Sequence, residues 1–312
     1  MPVDVVPQSK VAVSANPRRG KTPLLDPEFL NKLEQLELVS RKIFVGRMKG
    51  ERKSKKRGSS VEFADHRNYS VGDDLRHIDW NVYGRLDKLF LKLFLEEEDL
   101  HFYTLLDTSL SMDFGEPTKL QYGKQVAAAL SFVGLVNHDR VMLDTFSSGL
   151  DKGMPSIRGR SQMYRVVQYL DALEASGGSN LAAASKAFAI KHSGKGVVVV
   201  ISDFLDKAGY EDALRYLVAR NMDIYVIHVL SHEEVNPELT GDLRLIDAED
   251  DDVAEITVSA PLLQRYKNTL NAFVGGLKDW CIKRGITYIF TTNQNPFDKL
   301  ILNYLRERGL VK

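Results

Sequence analysis

The 312-residue chain is 44% hydrophobic and 27% charged, with 42 Lys+Arg balanced by 42 Asp+Glu. That length suits two compact domains or one large domain with a lead-in, and the single cysteine, Cys281, excludes disulfides within the chain and a Cys-built zinc cluster. The longest aliphatic run, Val197–Ile201, is five residues where a spanning helix needs about 20, and Met1–Lys10 has no apolar core of signal-peptide length, so a soluble, cytoplasmic protein is expected.

The chain is neutral as a whole but not along its length. Residues 1–60 hold 14 basic and 6 acidic side chains, which leaves the remainder acidic. Seven of the eleven residues from Arg47 to Arg57 are basic, and Arg52, Lys53, Lys55, Lys56 and Arg57 are candidates for steering toward an acidic partner. No aromatics interleave this run for base stacking, which weighs against nucleic acid.

In chain order, residues 1–22 are polar, carry three prolines and lack an apolar period, as a mobile tail does. Asp26-Pro27-Glu28 opens a helix: Asp caps, Pro suits the first turn, and Glu favours the positive end of the dipole. Phe29, Leu30, Leu33, Leu36 and Val39 follow at helical spacing. Residues 23–98 form an N-terminal segment with the basic loop 47–57 inside it, ending in the alternating stretch Leu89–Leu95. Residues 99–312 alternate strands and helices. Strands are expected at Leu100–Leu106, Val141–Phe146, Val197–Ser202, Asp223–Leu230 and Ile286–Thr291, with Gly149–Ile157 a hairpin partner and residues 242–258 a small hairpin. Helices are expected at Lys119–Val136, Ser161–Leu173, Leu181–Lys191, Tyr210–Asn221, Pro261–Lys283 and Phe297–Arg308. Strands apolar at every position and separated by amphipathic helices specify a doubly wound, mostly parallel α/β sheet, Rossmann-like in its winding. Neither G-x-G-x-x-G after the first strand nor G-x-x-x-x-G-K-[ST] occurs, which excludes those routes to dinucleotides and nucleoside triphosphates.

In such sheets ligands gather beyond the carboxyl ends of the strands. The first strand of the domain ends in Asp107-Thr-Ser109-Leu-Ser111, where alternate residues can aim one carboxylate and two hydroxyls at one point. Ser202-Asp203 ends another strand, and Gly177-Gly178-Ser179 can bring a third hydroxyl near. Oxygen donors without Cys or His select Mg²⁺ or Mn²⁺ over zinc. Upstream, Asp73, Asp74, Arg76, Asp79 and Arg85 crowd around Trp80. They read as an internal ion-pair network packed on the indole, with a catalytic or ligand-reading cluster as the alternative. His66, His77 and His101 read as structural, since no Ser or Cys pairs with them as a nucleophile.

Asp107, Ser109, Ser111, Ser179 and Asp203 resemble the metal-ion-dependent adhesion site of a von Willebrand factor type A domain. The segment around Glu62, Arg67, Tyr69, Asp73, Asp74, Arg76, Asp79, Trp80 and Arg85 resembles the hallmark of domain-of-unknown-function family 58, which precedes such a domain. The resemblance implies a metal-dependent protein-interaction module, not an enzyme, paired as an adaptor or co-chaperone with a MoxR-type AAA+ ATPase. A domains usually carry Thr where this chain has Ser179, which offers the same oxygen with less rotamer restraint. Many family members carry N-terminal membrane helices; the lack of one here implies the cytoplasm.

Two other functions compete. A strand ending in Asp beside Mg²⁺ also describes phosphohydrolases and phosphotransferases of the haloacid-dehalogenase type, but the general acid two residues on is here Ser109. A nucleic-acid adaptor would work through the basic loop and bind with steep salt dependence.

Overall fold

A computed structural model of the chain describes residues 61–96, 100–192, 196–220, 222–238, 241–246, 253–304 and 310. The polar tail, the helix expected after Asp26 and the basic loop with Arg52, Lys53, Lys55, Lys56 and Arg57 lie outside the described residues.

The N-terminal part is a hairpin with an inserted helix. Strand β1 (Val61–Asn68) pairs antiparallel with β2 (Phe90–Glu96), and helix α1 (Trp80–Leu86) lies between them in sequence. The pairing register shifts between Phe63 and Asp65, which marks a bulge. Asp79 fixes α1 by accepting hydrogen bonds from the amides of Asn81 and Val82, and its own amide donates to Phe90 O at 2.8 Å. Ile78 bridges Leu91, and both are buried. The alternating Leu89–Leu95 stretch is therefore a strand as expected, while β1 has no clean apolar alternation to announce it.

The main body is one six-stranded sheet in the order β10-β7-β6-β3-β4-β5. Its strands are β3 (His101–Asp107), β4 (Arg140–Phe146), β5 (Met154–Ile157), β6 (Gly196–Ser202), β7 (Asp223–Leu230) and β10 (Thr287–Thr292). Every pairing is parallel except β4 with the edge strand β5, which is antiparallel. Pro155 sits exposed within β5, a place open to proline because an edge strand has a side with no ladder to feed. An intervening hairpin, β8 (Gly241–Ile246) with β9 (Val253–Val258), forms its own two-stranded sheet.

Both faces of the sheet are covered. On one, Phe102, Leu106, Val141, Leu143, Val199 and Ile201 pack with helix α2 (Lys119–Val136) and with Val166 and Leu170 of α3 (Met163–Ala172). On the other, Tyr103, Leu105, Val198, Val200 and Val226 pack with α4 (Leu181–Lys191), α5 (Glu211–Val218) and Leu277 and Cys281 of α6 (Ala260–Ile282). All seven positions of β6 are buried, which is why Val197–Ile201 shows no alternation. The fold is thus a doubly wound, mostly parallel α/β sheet. None of its described helices is long and apolar enough to cross a membrane.

The last expected helix takes another form. Phe297–Lys299 makes one α-turn and Leu300–Tyr304 a wider π-turn, and consecutive residues Leu300 and Ile301 are both buried.

Candidate metal centre

From β3 the chain turns to β4 on one side, while β6, β7 and β10 lie on the other. The loops after β3 and β6 diverge at this switch, leaving a crevice at their carboxyl ends. Asp107 is the last residue of β3, and Asp203 follows the last residue of β6.

Asp107 is fully buried. Its Oδ1 accepts from the Ser109 amide at 2.9 Å and the Ser109 hydroxyl at 2.6 Å, and its Oδ2 accepts from the Ser202 hydroxyl at 2.6 Å. Ser109 Oγ lies 3.0 Å from Ser111 Oγ, and Ser111 is half-buried, so the row of oxygens runs from the interior toward solvent. Exposed Leu110 and Phe114 flank that row, and exposed Leu205 follows β6. Burial, then the nearby charge of Asp203, push the Asp107 carboxyl up to about 7.

Asp203 is held by a strained turn. Phe204 has φ of 56°, a left-handed conformation rare for a bulky residue, and is itself buried. Its amide donates to Ser202 Oγ at 2.9 Å and that of Leu205 to Asp203 Oδ1 at 3.1 Å, which fixes the bend. The Asp203 Oδ2 accepts from Lys119 Nζ at 2.7 Å. The same ammonium donates to Glu234 Oε1 at 2.6 Å, and no part of Lys119 is exposed. Burial opposes its charge, but the carboxylates of Asp203 and Glu234 outweigh that and raise its pKa. His228, buried against Phe204, is held by burial down to about 4 and stays neutral.

The glycine loop is stapled to this edge through its backbone. Leu110 N donates to Gly177 O at 3.0 Å and Ser176 N to Thr108 O at 2.8 Å. Gly177 has φ of 70°, so the turn asks for glycine. Asn180 caps α4, and the Leu181 amide reaches Asp206 Oδ2 at 2.9 Å, tying this loop to the one after β6. Ser179 is half-buried between these anchors.

The donor set fits a hard cation. Neighbouring ligands of an octahedral Mg²⁺ stand about 3 Å apart, close to the 2.6 and 3.0 Å that separate Ser109 Oγ from Asp107 Oδ1 and Ser111 Oγ. Among the described residues no three His, Cys, Asp or Glu side chains converge as a metal cluster, so a cation here would rest mainly on hydroxyls and water. Asp107, Ser109, Ser111 and Asp203 would hold it, with Ser179 at the rim.

The upstream hallmark is built otherwise than its charge density implies. Its charged residues meet in local groups. Arg67 Nη2 meets Asp73 Oδ1 at 2.8 Å, Arg76 pairs with Asp74 two residues away, and His66 and Lys92 meet Asp79 at 3.0 and 3.4 Å. Trp80 is 63% exposed and covers none of them; it stands edge-on to exposed Tyr83. Arg85 is exposed near the end of α1, Tyr69 is half-buried with its amide on Leu89 O, and Glu62 lies on β1. Density of charge in sequence does not say which side faces water. The pairs nevertheless lower the pKa of Asp73 and Asp74, through Arg67 and Arg76 respectively, and that of Asp79 to about 2, chiefly through His66.

Lys119 and Glu234 were not singled out from sequence. One signal existed: Lys119 opens a helix, where the dipole disfavours a cation, so a carboxylate partner had to be near. The other is Ser231-x-x-Glu234, a capping box that both residues complete.

Relatives are found by sequence and by structure. Uncharacterized proteins of Mycobacterium bovis and Mycobacterium tuberculosis are 28% identical over 242 residues, covering 76% of this chain and 76% of theirs. The crystal structure of the conserved hypothetical protein BatB from Bacteroides thetaiotaomicron aligns at 15% identity and a TM-score of 0.44, over 67% of this chain and 98% of that one. The SpRpn10 VWA domain aligns at 12% identity and 0.37, over 66% and 95%. The family model "Protein of unknown function DUF58" matches residues 65–272, which take in most of the hairpin and five of the six strands of the main sheet, and the chain belongs to that family.

Proposed function

We propose that this protein is a non-enzymatic interaction module whose binding to a protein partner depends on a divalent cation, Mg²⁺ or Mn²⁺, and that the partner is a MoxR-type AAA+ ATPase or its client. The observation that carries the reading is the row of oxygens from Asp107 through Ser109 to half-buried Ser111. When bound, the ion supplies an open coordination position for an Asp or Glu of the partner. Ser109 and Ser111 orient toward that position, and Ser202 and the Ser109 amide hold Asp107 in place behind it. Leu110, Phe114 and Leu205 offer apolar contact around the opening, so that a charged contact is ringed by surface able to exclude water. The residue two positions after Asp107 is Ser109, whose hydroxyl neither gives nor takes a proton near neutral pH, which supports binding over phosphoryl chemistry. The ATPase assignment comes from the family resemblance of the hallmark segment.

The test is a pull-down with the full chain, in Mg²⁺ or in EDTA, comparing wild type with Asp107→Ala. An AAA+ ATPase recovered by wild type in Mg²⁺, and lost with EDTA or the substitution, is the expected result. Recovery that ignores both the chelator and the substitution would sink the metal-dependent reading.

A further inference from the structure

We propose that Lys119 is the resident cation of this site: its ammonium holds Asp203 in the metal-free protein and competes with a divalent ion for that carboxylate. The inference rests on the metal-site reading above and adds a residue that governs how tightly the site takes metal.

Geometry is the first argument. Lys119 is entirely buried, 2.7 Å from Asp203 and 2.6 Å from Glu234. A lysine is ordinarily excluded from such a place unless carboxylates meet it. Both oxygens of Asp203 are engaged, one by the Leu205 amide and one by Lys119, so an ion that takes Asp203 directly must displace or share with the ammonium. Glu234 gives Lys119 a second hold. It is fastened by the Ser231 amide on Oε2 at 2.6 Å, by its own amide on Ser231 Oγ at 3.0 Å, and by Tyr266, whose hydroxyl donates to its carbonyl at 2.8 Å. Lys119 can therefore yield Asp203 while keeping one half-buried partner.

Charge is the second argument. Asp107, Asp203 and Glu234 stand along one edge of the sheet without converging as a three-carboxylate cluster, and Lys119, between Asp203 and Glu234, answers one unit of their charge. Two negative charges remain when all three are ionised, and a single divalent ion cancels them. Without Lys119 the site would be more negative and the ion would enter with no rival for Asp203. The residue thus sets affinity low enough for metal binding to be conditional, and keeps the loops after β6 and β7 together while the site is empty.

Mn²⁺ is the probe, titrated calorimetrically into full-length wild type, Lys119→Met and Lys119→Arg, with melting temperatures taken in EDTA and in excess Mn²⁺. Should Lys119→Met not fold, Lys119→Met combined with Glu234→Gln removes one charge of each sign and takes its place. The expected result is at least tenfold tighter Mn²⁺ binding by the methionine variant, a larger metal-induced rise in melting temperature than in wild type, and Lys119→Arg near wild type. Binding by the variant alone also supports the inference, and tells against metal dependence of the native module. Equal or weaker Mn²⁺ affinity in the variant overturns the role of Lys119 and leaves the metal reading standing. No binding by any of the proteins overturns both.

Discussion

The proton on Asp107 is the most telling detail at the scale of single residues. A buried carboxyl raised to about 7 holds its proton where the unfolded chain, titrating near 4, has lost it. The folded state therefore binds more protons between those values, and stability falls as pH rises from about 4 to about 7, then levels off. The metal-free protein should lose a few kcal/mol across that window, on the order expected for a shift of this size. Asp107→Asn should flatten the slope, and urea midpoints taken every half pH unit read the difference between the two proteins. In Mg²⁺ the trend should reverse, because the ion needs the ionised carboxylate and gains it as pH rises. Equal slopes in wild type and Asp107→Asn would mean that the carboxyl is not the titrating group. The placing of Asp107 and Asp203 at strand ends, with Ser109 and Ser111 in the loop after the first, was legible because both strands carry their own apolar signature. Lys119 was not, because its partners lie 84 and 115 positions away and no local pattern joins them.

At the scale of elements, α2 decides how close the site's scaffold can pack. Gly123 faces the sheet: a Cβ there would stand 2.8 Å from Leu106 Cδ1 and 3.4 Å from Ile201 Cγ2. Leu106 is itself fully buried and has nowhere to swing. Alanine gains up to about 1 kcal/mol of helix propensity, but overpacking of this kind costs about 1–3 kcal/mol. Gly123→Ala should therefore lower stability by about 1 kcal/mol in chemical denaturation, and an unchanged or raised midpoint would show that the helix shifts freely. The sheet strands and most helices could be read from continuous or 3.6-periodic apolar patterns. Three elements could not, helix α1 among them, whose segment reads as a run of charges around Trp80. Strand β1 carries charges at much of its length, and the Phe297–Arg308 periodicity gave no sign of the π-turn that buries Leu300 and Ile301 side by side.

At the scale of the whole molecule, the family model runs from the hairpin into the first five strands of the main sheet without a break, yet hairpin and sheet each have their own pairing. Asp79 is the fastening of the hairpin unit, since it caps α1, meets His66 and Lys92, and joins β2 through its amide. Arg76 is exposed and, among the described residues, pairs with its near neighbour Asp74, a contact too local to fasten the strands. Asp79→Ala should speed amide exchange across residues 61–96 and leave β6 and β7 protected, whereas Arg76→Ala should leave both unchanged. Exchange that rose equally in the hairpin and the sheet would instead make the two a single cooperative unit. The sequence marked this segment as charged and dense, but it took the pairing to show that its charges work locally and that Trp80 faces out.

The edge strand β5 has a consequence for how this molecule meets others. With four residues, one of them proline, it ends the sheet in a border that offers an incoming backbone few donors to pair with. Recruitment by adding a strand, and the runaway stacking that open borders invite, are both discouraged on that side. On that side the molecule offers loops rather than an open border, whereas the other border of the sheet is the longer strand β10.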